Sequence, residues 1–174
     1  MSESSPGRGA GKAMWIVVWL LGLFLATRFF AQWQDTQRNP NQQPESAVGS
    51  GYTEVRLASN GQGHFLASGL INGEAVEFLL DTGATDVAIP AALAERLGLP
   101  RGTPISLHTA NGQSTGYRTR ISRLQLGDIV LTEVRALIAP GMPGEEVLLG
   151  MSALKQLEFT QRDGTLLLRQ TTTQ

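Results

Sequence analysis

The sequence predicts an all-β class domain, mainly strands with two short helices, whose sheet closes or nearly closes on itself to protect its edges. Three observations lead there. From Tyr52 onward, short apolar runs are separated by Asn60-Gly61, Asn72-Gly73, Asn111-Gly112, Gly127-Asp128 and Asp163-Gly164, dipeptides suited to tight turns. Apolar and polar residues alternate within several runs, as where Leu124 and Leu126 interleave with Arg123 and Gln125, the period of a half-buried antiparallel strand. Only two segments of this region carry helix start and stop signals.

Residues 1–13 form a polar head, expected to be disordered. Met14 to Ala26 then contains no charge, and Phe29, Phe30, Ala31 and Trp33 follow Arg28. A helix over 14–33 meets the roughly 20 residues needed to cross a bilayer. Trp15, Trp19 and Trp33 lie towards its ends, where amphipathic rings are favoured, and Arg28 can snorkel to an interface. A cleaved signal peptide would end in a small-x-small site, but Phe29 precedes Ala31 and Phe24 precedes Ala26 at the relevant spacing. A buried core helix would show a polar face, and this segment has none. The expectation is a transmembrane anchor, with the short head inside and the domain outside, although Arg8 and Lys12 before it nearly balance Arg28 and Arg38 after it.

Residues 34–51 are polar, contain Pro, Gly and Ser, and show no apolar period, so they read as a flexible linker. The domain is then 52–174. Strands are predicted over Phe65–Ile71, Ala75–Leu80, Pro104–His108, Tyr117–Leu126, Ile129–Ile138 and Thr165–Arg169. Pro90–Leu97 reads as a helix, with proline in its first turn and Gly98 just past its end. Ser152–Leu157 reads as a shorter one with Ser152 as N-cap.

Composition narrows the chemistry. A formal net charge of −1 without a Lys/Arg cluster gives no nucleic-acid footprint. With no cysteine there is no disulfide, thiolate metal site or cysteine nucleophile. His64 and His108 are solitary, Ser114 and Ser152 have no nucleophile elbow around them, and Gly7, Gly9 and Gly11 follow no strand.

Phe78-Leu79-Leu80-Asp81-Thr82-Gly83-Ala84-Thr85-Asp86 is the informative segment. An apolar strand runs straight into a carboxylate, whose burial is costly unless it is hydrogen-bonded or shares a proton. Gly83 lets the backbone turn sharply and another group approach. The bland reading is an ordinary turn at a strand end.

This segment resembles the active-site loop of clan AA aspartic proteases, the group of retropepsins and pepsins. Val147-Leu148-Leu149-Gly150-Met151, leading into Ser152–Leu157, resembles that family's second element, with a hairpin at Asn111-Gly112 between the two. The nearest resemblance is to bacterial single-lobe, retropepsin-like proteases with an N-terminal membrane segment. It implies a closed-barrel lobe, a polypeptide substrate, no cofactor and no metal, and a domain on the periplasmic side of a bacterial inner membrane. It also implies that Asp81 is catalytic and pairs with Asp81 of a second copy. Thr82 would bond across that interface, and Gly83 would offer main-chain bonds to substrate. Ala84, Thr85 and Asp86 would line the cleft. Ala110, Asn111 and Gly112 would form the flap tip, within Thr109–Gly116, and Leu149 and Gly150 the structural motif beside the site. Only one Asp-Thr-Gly is present in this single lobe, so the resemblance implies a homodimer, with Tyr52–Leu57 and Thr165–Arg169 as the expected interface strands. The flap is less glycine-rich than in viral relatives, and Thr85 stands where they carry an acid. These departures keep a second reading open, a non-catalytic peptide-binding or scaffold module on the same fold.

Overall fold

The computed structural model describes residues 7–109 and 112–171. Two compact units meet at the Gln37–Arg38 bond. The first is helical. Helix α1 (Gly7–Arg38) contains a 25-residue stretch, Met14–Arg38, with mean hydropathy 1.9, long and apolar enough to cross a membrane. Its length of about 38 Å at 1.5 Å per residue exceeds a hydrocarbon core of about 30 Å. The helix runs past Trp33, where the linker was expected to begin, because the first helix breaker after it is Pro40.

The second unit holds strands β1 (Glu45–Gly49), β2 (Tyr52–Ala58), β3 (Leu66–Ile71), β4 (Glu74–Leu80) and β5 (Val87–Pro90), then helix α2 (Ala91–Arg96). Strands β6 (Pro104–Thr109), β7 (Gly112–Leu126), β8 (Ile129–Ala139) and β9 (Glu146–Leu149) follow, then helix α3 (Met151–Leu154), β10 (Glu158–Arg162) and β11 (Thr165–Thr171). The larger sheet runs β3-β4-β9-β5-β8-β7-β6, and β7 returns to β3 through Leu70↔Gln125 and Ile71↔Leu124. That last pairing closes a six-stranded barrel, with β6 attached to the first half of the long β7. The smaller sheet, β1-β2-β11-β10, packs on the same core: Val55, Leu57 and Leu168 join Phe78, Ile89, Ile121, Val134, Ile138 and Val147, all fully buried.

The turns follow local chemistry. Asn72 and Gly73 have φ of 52° and 92°, Asp163 and Gly164 have 48° and 73°, and each pair joins two antiparallel neighbours, β3–β4 and β10–β11. Gly127 (φ 56°) turns β7 into β8. Asn60-Gly61 does something else. The Asn60 side-chain oxygen accepts the amides of Gln62 and His64, shaping a wider loop that carries the chain from one sheet to the other.

Residues 39–51 are not a flexible linker. Asn39 and Asn41 are buried polar residues. The Asn41 side chain donates to the carbonyls of Ala58 (2.8 Å) and Leu66 (2.6 Å) and accepts the Ala58 amide (2.7 Å), bridging β2 to β3 where no ladder joins them. Asn39 donates to Ser68 and Glu77, Arg38 pairs with Glu77 and Glu146, and β1 pairs along its length with β2. Specific side-chain hydrogen bonds substitute here for the missing apolar period. The expected interface strands β2 and β11 are likewise interior, each paired on both sides; the open edges of this smaller sheet belong to β1 and β10. Across β2 and β11, Arg169 pairs with Glu54 (2.8 Å) and lies 4.5 Å from the Tyr52 ring centroid. The Glu54 hydrogen bond raises the Arg169 pKa above its ordinary value.

Both short helices differ slightly from expectation. Pro90 is the N-cap of α2 rather than in its first turn, while Gly98 (φ 63°) ends it as predicted. The N-cap of α3 is Gly150, and Ser152 lies inside the helix with another task, described below.

Candidate active site

Strand β4 delivers Asp81. Phe78 is buried, Leu79 and Leu80 are half-buried, and the strand ends at Leu80 beside its parallel neighbour β9. The Asp81 amide donates to the Leu149 carbonyl at 3.3 Å, and the Ala84 amide returns to the Asp81 carbonyl at 3.2 Å, so the chain turns at once. Asp81 Oδ1 accepts the Gly83 amide at 2.8 Å. This Asx-type bond holds the half-buried carboxylate in one orientation. Its second oxygen accepts no hydrogen bond from any described residue. Thr82, Gly83 and Thr85 are exposed, Ala84 and Asp86 half-buried.

The second sequence element lies under this loop. The Met151 amide donates to the Ala84 carbonyl (2.8 Å) and the Ser152 amide to the Thr85 carbonyl (3.0 Å). Gly150 is glycine for a steric reason: a Cβ there would meet the carbonyl oxygens of both Ala84 and Asp86. Ser152, 4% exposed, accepts the Val87 amide at 3.0 Å and donates to the Arg135 carbonyl at 2.7 Å, tying the loop's exit to β8. Asp86 accepts two bonds from Arg135, from Nη2 at 3.0 Å and Nε at 3.3 Å. Four consecutive residues, Ala84 to Val87, are thus clamped by α3 on one side and β8 on the other.

Two cavities open beside the loop. One, of about 210 Å³, brings Asp81 and Thr82 together with His64, Phe65, Leu154 and Phe159. The other, of about 450 Å³, begins at Asp86 and lies over β7 and β8. Among the described residues, β6 contributes Ile105 and β7 contributes Arg118, Thr119 and Arg120 to the larger cavity; the tip residues Ala110 and Asn111 lie outside the described residues, and Gly112 opens β7, paired with Thr109. Sequence reasoning set His64 aside as solitary and did not single out Phe159 or Arg135. Nothing local signals them: His64 and Phe159 border the Asp81 cavity through tertiary packing, and Arg135 meets Asp86 because β8 pairs with β5.

The chain has relatives in sequence and in fold. The family described as gag-polyprotein putative aspartyl protease matches residues 67–156, just over half the chain and all of the loop and α3 elements. The uncharacterized protein in cobV 5'region of Sinorhizobium sp. is 32% identical over 114 residues, 64% of this chain and 49% of that protein. An uncharacterized protein of Rickettsia prowazekii (strain Madrid E) is 30% identical over 121 residues, 66% of this chain and 50% of that one. The chain spans about half the length of the curated relatives it matches. Among solved structures, the crystal structure of a retropepsin-like aspartic protease from Rickettsia conorii superposes with a TM-score of 0.60 at 26% identity, covering 75% of this chain and 97% of that one. By its family match over residues 67–156 and its likeness in fold, the chain belongs to the retropepsin-like aspartic protease family.

Proposed function

We propose that the chain is a membrane-anchored aspartic endopeptidase whose active site is completed by a second copy of itself. The observation that carries this reading is the Asp81 carboxylate, held by Gly83 through one oxygen and open at the other, in a lobe with a single such loop. Two carboxylates facing each other across a two-fold axis cannot both ionise easily, so the pair keeps one proton between them. The ionised member takes a proton from water as that water attacks the peptide carbonyl carbon, and the protonated member donates to the carbonyl oxygen. Collapse of the resulting diol moves a proton to the amide nitrogen, breaks the C–N bond and releases an acid and an amine. In this reading the exposed Thr82 bonds to the partner, Gly83 meets the substrate backbone, Ala84, Thr85 and Asp86 border the cleft, and the 109–116 hairpin is the flap. Leu149 and Gly150 support the loop from below.

Helix α1 is the anchor in this reading, set in a bacterial inner membrane with the domain on the periplasmic side. Its length and hydropathy support a membrane span, and the relatives come from bacteria. Confinement to one membrane surface raises the effective concentration of the lobes and favours the pair.

The test uses the full chain in detergent micelles, as wild type and Asp81→Asn, with a diverse peptide library and sedimentation analysis. Hydrolysis by a dimer, lost in Asp81→Asn without loss of fold, is the expected result. Cleavage that survives the substitution overturns the reading. A stable monomer that binds peptide without cutting it, over a range of roughly pH 3 to 8, supports the binding-module reading instead.

A further inference from the structure

The larger cavity has an unusual charge arrangement. On adjacent strands β7 and β8, Arg120 stands directly opposite Arg135, and Arg118 lies two residues further along β7 on the same face. All three border the cavity. Like charges in directly opposed positions repel, so each guanidinium calls for a counter-charge. Arg135 has Asp86, at 3.0 Å. Arg120 has Glu133, with its carboxylate at 3.7 Å and its carbonyl at 3.1 Å. The Arg118 side chain has no hydrogen-bond or ion-pair partner among the described residues. The cavity therefore carries one uncompensated positive charge, beside an apolar wall of Pro100, Ile105 and Leu137.

Its place matters as much as its charge. The cavity begins at Asp86, the last residue of the loop that starts at Asp81, and Asp86 is held by Arg135 on β8. A peptide laid along that loop in extended form directs alternate side chains to either side of its backbone. A peptide on that path would bring one of them to this recess, which opens at Asp86.

We propose that the recess takes an acidic side chain of the substrate, its carboxylate received by Arg118 in the field of Arg120 and Arg135, so that the protein selects polypeptides with Glu or Asp near the scissile bond. This deepens the protease reading and rests on it for the path of the peptide. One unpaired guanidinium matches a singly charged group. The planar donors of Arg118 suit a carboxylate in two-point contact, which a lysine would not reproduce.

The test separates binding from cleavage. Fluorescent peptides carrying Glu, Gln or Lys at each position in turn are titrated by anisotropy against full-length Asp81→Asn protein in detergent, and the same peptides are given to wild type for kinetics. The expected result is binding about tenfold tighter for Glu than for Gln at one position, weakening with added salt, and expressed in KM rather than kcat. Arg118→Gln should bring the two peptides to within about twofold, while Arg118→Lys keeps part of the preference. Equal affinity for Glu and Gln at every position, no peptide binding at all, or a preference untouched by Arg118→Gln overturns the proposal. Cleavage without acidic preference removes the subsite and leaves the protease. Selective binding without any wild-type cleavage removes the protease and leaves the subsite.

Discussion

Gly150 lies directly against the Ala84 carbonyl: a Cβ on Gly150 would sit 2.7 Å from that oxygen. The contact is backbone against backbone, so neither side can swing away. Gly150→Ala should push the Asp81–Asp86 loop from α3 and destabilise the domain by about 1–3 kcal/mol. Urea unfolding measures the loss, and peptide cleavage should fall further than stability alone explains. An unchanged midpoint would show that the loop has room the structure does not suggest.

Ser152 offers a subtler probe of the same clamp. It satisfies the Val87 amide and the Arg135 carbonyl while buried. Ser152→Ala leaves both without that partner at nearly constant volume, with an expected cost of about 1–3 kcal/mol. Thermal melts of the two proteins at one pH check it.

Asn41 makes a claim about domain limits testable. Its carboxamide holds three backbone groups of β2 and β3, and residues 45–49 cover β2. A fragment of residues 38–174 should melt cooperatively, whereas 52–174 should be markedly less stable and expose the β2 edge. Within the longer fragment, Asn41→Ala should cost about 3 kcal/mol through the unpaired groups it leaves. Circular dichroism melts rank the three.

A paired-carboxylate mechanism makes activity bell-shaped in pH. Cleavage should fall at low pH, when both Asp81 side chains are protonated and no base remains, and at high pH, when both are ionised and no acid remains. A rate that rises to a plateau with a single limb would argue against shared-proton chemistry. Peptide kcat/KM across the range reads out the profile.

Removing residues 1–37 should separate catalysis from confinement. The lobe keeps all the residues of the candidate site, yet the second copy is no longer held on the same surface. Specific activity of that fragment should rise with protein concentration, while the full chain in micelles or vesicles stays nearly independent of it. Dilution series of both proteins make the comparison.

Local rules made part of this molecule readable. The period-2 alternation of 117–126, the positive-φ pairs at Asn72-Gly73 and Asp163-Gly164, and Gly98 after α2 each depend on neighbours in the chain, and each appears as predicted. The same holds for the apolar helix and for the strand that leads into Asp81, because hydropathy acts residue by residue. Residues 39–51 were unreadable for the opposite reason. Their order rests on Asn39 and Asn41 meeting backbone groups of β2 and β3 and side chains of β3 and β4, and no apolar period announces a hydrogen bond. Ser152 looked like a cap for the same reason, since its true partners at Val87 and Arg135 are distant in sequence. The sequence by itself determined the strands, the anchor-like helix and the Asp81 loop. Only the tertiary structure decided what braces that loop, which strands keep open edges and where three arginines converge, because barrel closure brings together residues that share no local signal.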